Sequence, residues 1–338
     1  DIGGIEKVLL TYADILSTRK YDVVYLVCHE NGMLFSEVPH GIKLHNLRTN
    51  DLKKSLFKIV SFFNQYRPDS VICANKATIV ILLSRLLCRS KFKIITSHHN
   101  YLNSDNLSII DKKLIWYVYN LCDSVIAVSS GIYKLLVNHH VKRRKIHLIY
   151  NPVNYEYIQR KSKEPIDNIK FKDYVVFVGR LTMVKNIPFL FKAFEICLNS
   201  RPNIGLLIVG DGPEKHNLLS LSECIKDNIL FLGAQENPYP YFKSAKVVAL
   251  PSLSEAFPTI LLEALALGKT IVSTPTAGAV EILRHGDLGY ITQSFTDIQQ
   301  FAELTLRAFD NPLDSAILRN AVGQYSFQET FRRLKNLL

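Results

Sequence analysis

The chain has 338 residues, of which 48% are hydrophobic, and a formal net charge of +11. This length suits two α/β domains, and the hydrophobic fraction supports packed cores and excludes a disordered chain. Residues 1–150 carry 21 Lys+Arg against 11 Asp+Glu, whereas residues 151–338 carry 20 against 19. The basic first half therefore predicts an anionic partner for that part of the chain.

Targeting and cysteine patterns are consistent with a cytoplasmic protein. No stretch approaches the ~20 apolar residues of a membrane-spanning helix, and no secretory signal peptide is visible. The six cysteines are dispersed and form no Cys-x-x-Cys pair. We therefore expect buried thiols, with neither a disulfide framework nor a zinc site.

The first half begins with a glycine pair and then alternates strands and helices. Gly3 and Gly4 open a predicted helix that runs to about Leu16, and glycines there let backbone N–H groups approach a phosphate or sugar. A flexible chain end explains them equally well. The alternation that follows predicts a parallel sheet covered on both faces. The predicted strands are 22–27, 43–47, 70–74, 93–97 and 124–128, and the helices are 51–66, 78–88, 109–121 and 132–137.

The helix predicted over 51–66 suggests a membrane contact. Phe57 and Phe62 fall off its apolar face, among Lys53, Lys54 and Lys58. Exposed Phe beside Lys is typical of a helix lying on an anionic bilayer. A docked core helix with solvated lysines is the alternative interpretation.

Two histidines follow the strand predicted over 93–97. Ligands of parallel sheets sit beyond the carboxyl ends of strands, so His98 and His99 occupy a candidate position. Adjacent side chains point to opposite faces, which makes the pair a poor metal site. Local hydrogen bonding is the alternative role.

The second half restarts after a polar segment. We place a first domain at 1–154, a linker at 155–173, and a second domain at 174–338. The strand Tyr174–Val178 ends in Gly179-Arg180, and Lys185 follows before a helix. An Arg fork and a Lys charge together could neutralise a diphosphate at a helix mouth.

The segment 252–268 places two carboxylates on one strand-to-helix unit. Glu255 lies in the loop after a buried strand, and Glu263 lies in the helix that begins near Pro258. Such carboxylates could grip hydroxyls of one ligand at two points. In the alternative interpretation, Glu255 only interacts with the dipole of the helix and Glu263 is a solvated helix residue. The rest of the chain predicts further strand–turn units and a helical end over 301–338.

Together these motifs resemble family-4 retaining glycosyltransferases, which have the GT-B fold of two Rossmann-like domains facing a cleft. The most specific elements are Glu-x7-Glu at Glu255 and Glu263, and Gly-Arg-x4-Lys ending at Lys185. Asn186 stands where the family usually has Gly, and the family's first strand is absent before Gly4. The resemblance implies an N-terminal acceptor domain, a C-terminal donor domain, and a last helix that packs back on the first domain.

The resemblance also implies roles for individual residues. His99 and Glu255 would orient the donor sugar as catalytic residues, and Glu263 would bind the ribose hydroxyls. Arg180 and Lys185 would meet the charge of the leaving diphosphate. The full set of implied donor-binding residues is Gly4, Arg180, Lys185, Gly212, Phe257, Pro258, Thr259 and Glu263.

The implied function is transfer of a hexosyl or N-acetylhexosaminyl group, with retention, from a nucleotide sugar to a glycan or lipid-linked acceptor of a lipopolysaccharide or capsule type. A UDP-sugar is expected only because it is a frequent donor among family members. We expect no cofactor and no metal, since the chain lacks an Asp-x-Asp. We expect a cytoplasmic enzyme, peripheral on the inner face of the cell membrane. A catalytically inert nucleotide-sugar-binding subunit is the alternative function, and nucleic-acid binding has only the charge in its favour.

Overall fold

The computed structural model describes residues 4–28, 38–39, 41–49, 55–75, 77–99, 109–166 and 169–338, without the side chains of 109–113. The chain forms two compact units. The first comprises Asp1–Pro152 together with Phe327–Leu338, and the second comprises Val153–Ser326.

The first unit contains two parallel sheets, one with the order β1-β2 and one with the order β3-β4-β5-β6. Helix α1 packs against both β1 and β3. The unit comprises α1 (Gly4–Ser17), β1 (Val24–Val27), β2 (Lys43–Asn46), α2 (Leu56–Tyr66), β3 (Ser70–Ala74), α3 (Ala77–Leu87), β4 (Lys93–His98), α4 (Ile109–Leu121), β5 (Ser124–Ala127), α5 (Ser130–Asn138) and β6 (Ile146–Leu148).

The second unit is built on one parallel six-stranded sheet with the order β12-β11-β10-β7-β8-β9. Its elements are α6 (Tyr155–Lys161), β7 (Tyr174–Val178), α7 (Ile187–Ser200), β8 (Gly205–Val209), α8 (Lys215–Leu221), β9 (Ile229–Gly233), α9 (Tyr239–Ser244), β10 (Val247–Leu250), α10 (Thr259–Ala266), β11 (Thr270–Ser273), α11 (Ala277–Ile282), β12 (Tyr290–Ile291), α12 (Ile298–Asp310) and α13 (Ser315–Ala321). Helix α14 (Phe327–Leu334) then returns to the first unit.

The strands of the second unit are continuous apolar runs because they lie in its core. Strand β8 is buried along its whole length, as expected for a parallel strand covered on both faces. Helices α7 and α12 pack together, and Phe189 meets Phe301 edge to face at 5.3 Å between ring centroids. Each such buried side chain stabilises the fold by about 1.5–3 kcal/mol.

The strand order of this sheet reverses at β7. Strand β8 lies on one side of β7 and β10 lies on the other. The loops that follow β7 and β10 therefore leave adjacent strands, and in open α/β sheets this reversal is where ligands bind.

The predicted α/β class with parallel sheets is confirmed. The strands after the first helix match the predicted ranges to within two residues at either end. The predicted helical end is divided into α12, α13 and α14, because Asp314 begins a new helix by accepting from the N–H groups of Ala316 and Ile317.

The segment 155–173, which we interpreted as a linker, begins with helix α6 and lies in the second unit. The polar residues at its start belong to a surface helix. Asn154 caps this helix, since its side chain accepts from the Tyr157 N–H at 3.0 Å. The acceptor and donor roles of the two units stay predictions.

Candidate functional site

The carboxyl edge of the second unit's sheet carries three neighbouring loops, which follow β7, β8 and β10. The loops after β7 and β8 are joined backbone to backbone, because the Leu181 N–H donates to Asp211 O at 2.9 Å. A Cβ at Gly210 would lie 1.9 Å from Gly179 O, and one at Gly212 would lie 2.4 Å from Leu181 O. Glycine is required at Gly210 also by its φ of +141°.

The structure brings together two of the predicted site residues, Lys185 and Glu255. Lys185 Nζ lies 2.5 Å from Glu255 Oε1, and the two residues are 70 positions apart in the chain. A backbone bond supports the pair, since the Leu253 N–H donates to Val184 O at 2.8 Å. Both side chains are partly buried, at 23% and 14% exposure. A cation and a carboxylate thus lie side by side where the sheet order reverses.

Helix α10 presents its first turn beside this pair. Pro258 precedes the helix and Thr259 is its first residue, so early N–H groups lack intrahelical partners. The Gly278 N–H donates to Glu255 O at 3.0 Å, which fixes the loop against α11. Phe257 is buried and meets Tyr325 edge to face, with centroids 5.5 Å apart. These contacts give the loop a defined geometry.

Glu263 lies on α10, four residues beyond Thr259, and is partly exposed. That spacing places it about 6 Å further along the helix axis. Arg180 follows β7 directly and is exposed, in the same loop as Lys185. Arg180 and Lys185 thus stand in a loop at this edge of the sheet, and Glu263 lies just past the first turn of α10.

Asp211 and Lys215 also belong to this edge, although they were not among the predicted site residues. Asp211 accepts from the Gly212 N–H and from Lys215 Nζ, each at 2.7 Å. Its bond to Lys215 is the main reason why the pKa of the Asp211 carboxyl is lowered. The four-residue spacing of these opposite charges was the available sequence signal. The Gly212 N–H therefore already has an acceptor.

In the first unit, His99 lies directly after β4 and is buried. Its Nε2 is 2.7 Å from Ser97 Oγ. Burial, and secondly the charge of His98, lower the pKa of His99 to about 3. His99 is therefore a neutral hydrogen-bonding group at pH 7.

His98 has different surroundings. Its Nδ1 is 2.9 Å from Tyr119 Oη on α4, and its ring meets Trp116 edge to face. The two histidines thus bond to different partners, as expected for adjacent residues at a strand end. The bonds to Ser97 and Tyr119 could not be inferred from the sequence.

Gly4 is the first residue of α1 and is exposed. Among the residues that the structure describes, no atom lies within 4 Å of the position that a Cβ would take there.

The residues predicted to face a membrane have mixed outcomes. Phe57 is 77% exposed, as expected. The prediction for Phe62 was wrong: this side chain is buried, and its ring centroid lies 4.4 Å from that of His45. Lys58 Nζ donates to Leu47 O at 2.8 Å and to Arg48 O at 3.0 Å, so its charge serves a loop of the fold. Lys53 and Lys54 lie outside the described residues.

In the described part of the chain, no three His, Cys, Asp or Glu side chains form a group that could hold a metal ion. Over the same residues, no helix combines the length and apolarity of a membrane span.

Comparison with known proteins gives a consistent result. Residues 159–329 match the family model of glycosyl transferases group 1, and residues 2–157 match that of glycosyltransferase family 4. An uncharacterized glycosyltransferase of Methanocaldococcus jannaschii is 30% identical over 250 residues, which span 68% of this chain and 61% of that protein.

A Campylobacter jejuni relative, N-acetylgalactosamine-N,N'-diacetylbacillosaminyl-diphospho-undecaprenol 4-alpha-N-acetylgalactosaminyltransferase, is 26% identical over 340 residues, covering 94% of this chain and 90% of the relative. The crystal structure of Anabaena Alr3699/HepE in complex with UDP and glucose has the same fold, with a TM-score of 0.83 and 19% identity over 99% of this chain and 95% of HepE. These similarities confirm the family and the GT-B fold class that the motifs indicated.

Proposed function

Because this chain belongs to the family of glycosyl transferases group 1, and is therefore a glycosyltransferase, we propose that it moves a sugar from a UDP-sugar to a lipid-linked or polysaccharide acceptor. The observation that carries the proposal is the Lys185–Glu255 pair in the loops after β7 and β10. Lys185 can donate to a diphosphate, and Glu255 can accept from a sugar hydroxyl.

The leaving nucleoside diphosphate gains negative charge as the glycosidic bond breaks. Arg180 and Lys185 supply cationic donors for that charge, and the first-turn N–H groups near Phe257–Thr259 add a favourable dipole. Removing one such donor typically slows an enzyme about 10²–10³-fold. We propose that these groups stabilise the leaving group without a metal, and the absence of Asp-x-Asp from the sequence supports this.

The carboxylates take the hydroxyl groups of the donor. Glu255, held by Lys185 and by the Gly278 N–H at its backbone, orients the sugar. Glu263, further along α10, accepts from the ribose hydroxyls. The donor contacts expected of His99 and Gly4, in the first unit, stay predictions. We propose transfer with retention, by attack of the acceptor hydroxyl on the face that the leaving group departs from.

We propose the donor and acceptor classes by analogy with similar proteins. HepE was crystallised in complex with UDP and glucose, and the Campylobacter relative is a transferase of N-acetylgalactosamine to an undecaprenol-linked glycan. These support UDP as the nucleotide, a hexosyl or N-acetylhexosaminyl group, and a lipid-linked acceptor. We place the enzyme in the cytoplasm, on the inner face of the cell membrane, where such an acceptor would be met.

Turnover is the test of this proposal. The purified chain should release UDP from UDP-glucose or UDP-N-acetylgalactosamine in the presence of an undecaprenyl-diphosphate-linked glycan, and Glu255→Ala should remove most of that release. Saturable UDP-sugar binding without turnover on any such acceptor would instead favour an inert nucleotide-sugar-binding subunit. Binding of neither nucleotide nor sugar nucleotide would overturn both.

A further inference from the structure

Two neighbouring helices of the first unit expose apolar side chains in regular stripes. On α3, Leu83, Leu86 and Leu87 are 46%, 79% and 53% exposed. Their spacing of three and four residues puts them on one helix face. These are large side chains, and an amphipathic helix of a globular protein normally directs such a stripe toward the core.

Helix α4 repeats the arrangement. Leu114, Tyr117 and Leu121 are 47%, 64% and 46% exposed, again at the spacing of one helix face. The buried face of the same helix carries Trp116 and Tyr119. Helix α4 is therefore apolar on both its inner and its outer side.

The two stripes stand on neighbouring helices, because α3 packs directly against α4. Arg85 joins them, with one guanidinium nitrogen 3.0 Å from Leu121 O and another 2.6 Å from Asp123 Oδ2. We call the six residues Leu83, Leu86, Leu87, Leu114, Tyr117 and Leu121 the α3–α4 surface. Exposed apolar surfaces of this kind mark interaction sites.

A basic turn borders the α3–α4 surface at the end of α4. Lys142, Arg143 and Arg144 are exposed. The turn is tied to α4 because Asn120 Nδ2 donates to His140 O at 3.1 Å, and the Lys142 N–H donates to Asn120 Oδ1 at 2.9 Å. The cations therefore stand beside Leu121 rather than on a distant loop.

The charge balance around the surface is one-sided. In the sequence, residues 77–99 and 114–148 contain nine Lys+Arg and a single acidic residue, Asp123, which is paired with Arg85. A homodimer through this face would bring two like-charged borders together, which is unfavourable. An apolar strip with a basic border is complementary to anionic lipid headgroups above acyl chains.

We propose that the α3–α4 surface is the face by which this protein docks on an anionic membrane. The proposal rests on the proposed function, since a lipid-linked acceptor lies in such a membrane. It moves the predicted contact away from α2, where Lys58 is engaged by the carbonyls of Leu47 and Arg48. Helix α4 also contacts His98 through Trp116 and Tyr119, so the docking helix adjoins the strand end that carries His99.

Vesicle flotation tests the surface. The full chain is mixed with vesicles of phosphatidylcholine and phosphatidylglycerol, or of phosphatidylcholine alone, and the bound fraction is measured with and without added salt. The test variants are Leu86→Asp with Tyr117→Asp, and separately Arg143→Ser with Arg144→Ser. The matched controls lie in the second unit, where Ile317→Asp changes an exposed residue and Lys172→Ser with Lys192→Ser removes two exposed cations.

The wild type and both controls should float with anionic vesicles only, and salt should reduce the bound fraction. The Leu86/Tyr117 variant should lose binding at least tenfold. The Arg143/Arg144 variant should lose roughly fivefold for each charge removed. Phe57→Ser, on α2, should bind as the wild type does.

Undiminished flotation of the Leu86/Tyr117 variant would overturn the proposal, as would loss of binding in Phe57→Ser alone. A wild type that stays off vesicles but forms a dimer, which the Leu86/Tyr117 variant breaks, would assign the surface to a second copy and reject the membrane. UDP affinity and thermal unfolding of each variant, measured without lipid, should match the wild type. Failure of UDP binding in the wild type would reject the proposed function while leaving the flotation result intact.

Discussion

Glu255→Gln separates the two roles of the ion pair in the second unit. In the native protein, the Glu255 carboxylate lies 2.5 Å from Lys185 Nζ, so this cation is already balanced before a donor binds. An incoming diphosphate must share or displace that partner. Gln keeps the side-chain length and an oxygen that accepts from Nζ, but it removes the competing negative charge.

The expected size of the effect follows from the partial burial of the pair, at 23% and 14% exposure. Such a pair lies near the upper end of the range of about 0.2–1 kcal/mol found for exposed pairs. Releasing Lys185 from about 1 kcal/mol of competition should tighten UDP binding about fivefold in Glu255→Gln. Lys185→Met removes a charge-assisted hydrogen bond of about 1.5–3 kcal/mol, so UDP should bind roughly 10- to 150-fold more weakly.

Titration calorimetry with UDP measures both affinities, and UDP release with an acceptor measures turnover. Glu255→Gln should lose turnover about a hundredfold, because it removes the carboxylate that we propose orients the sugar. Lys226→Met is the matched control, since Lys226 forms an exposed pair with Glu223 in the same unit. Equal weakening of UDP binding in Glu255→Gln and Lys185→Met would refute the separate roles argued here.

Three further predictions concern single positions. Glu263→Ala should weaken UDP binding about tenfold in calorimetry, because the role proposed for its partly exposed carboxylate is to accept from the ribose hydroxyls. His99→Gln should reduce acid sensitivity: the folded pKa of His99 is about 3 against 6.5 for the free side chain, so the contribution of this residue to stability is constant above pH 6.5 and is lost as the pH falls from 6.5 to 3. Urea unfolding at pH 7 and pH 4 measures the free energy of unfolding that each protein loses on acidification. The variant should lose about 3 kcal/mol less than the wild type, and equal losses would contradict a lowered pKa of His99. Gly212→Ala should lower the free energy of unfolding by about 1–3 kcal/mol, because the added Cβ would lie 2.4 Å from Leu181 O, and an unchanged midpoint would show that the loop yields.

The sequence was most informative about the strands and about the loops that follow them. Strands such as β7 and β8 are continuous apolar runs that are each followed by a glycine, so their positions could be predicted within one or two residues. Glu255 was correctly placed in a strand-to-helix loop for the same reason. A continuous apolar run indicates burial on both faces of a sheet, and it can be recognised without knowing which distant residues the strand contacts.

Contacts between distant residues could not be predicted in this way. The bond between Lys185 and Glu255 depends on β10 returning beside β7, and no local pattern encodes that return. The expectation for Phe62 on α2 was wrong for the same reason. Phe62 is buried by His45 and Lys58 is held by loop carbonyls, and both partners come from β2 or the loop after it.

The reversal of strand order at β7 explains why the site lies where it does. Strands β8 and β9 extend the sheet on one side of β7, and β10, β11 and β12 extend it on the other. The chain therefore leaves β7 and β10 from neighbouring positions, and the two loops can supply opposite charges to one ligand. Had β10 added beyond β9, the strands carrying the two loops would be three positions apart, about 14 Å at the usual strand spacing. A lysine–carboxylate bond at 2.5 Å is thus made possible by the topology, and it is the reason why we propose this edge of the sheet as the place where a nucleotide sugar is held.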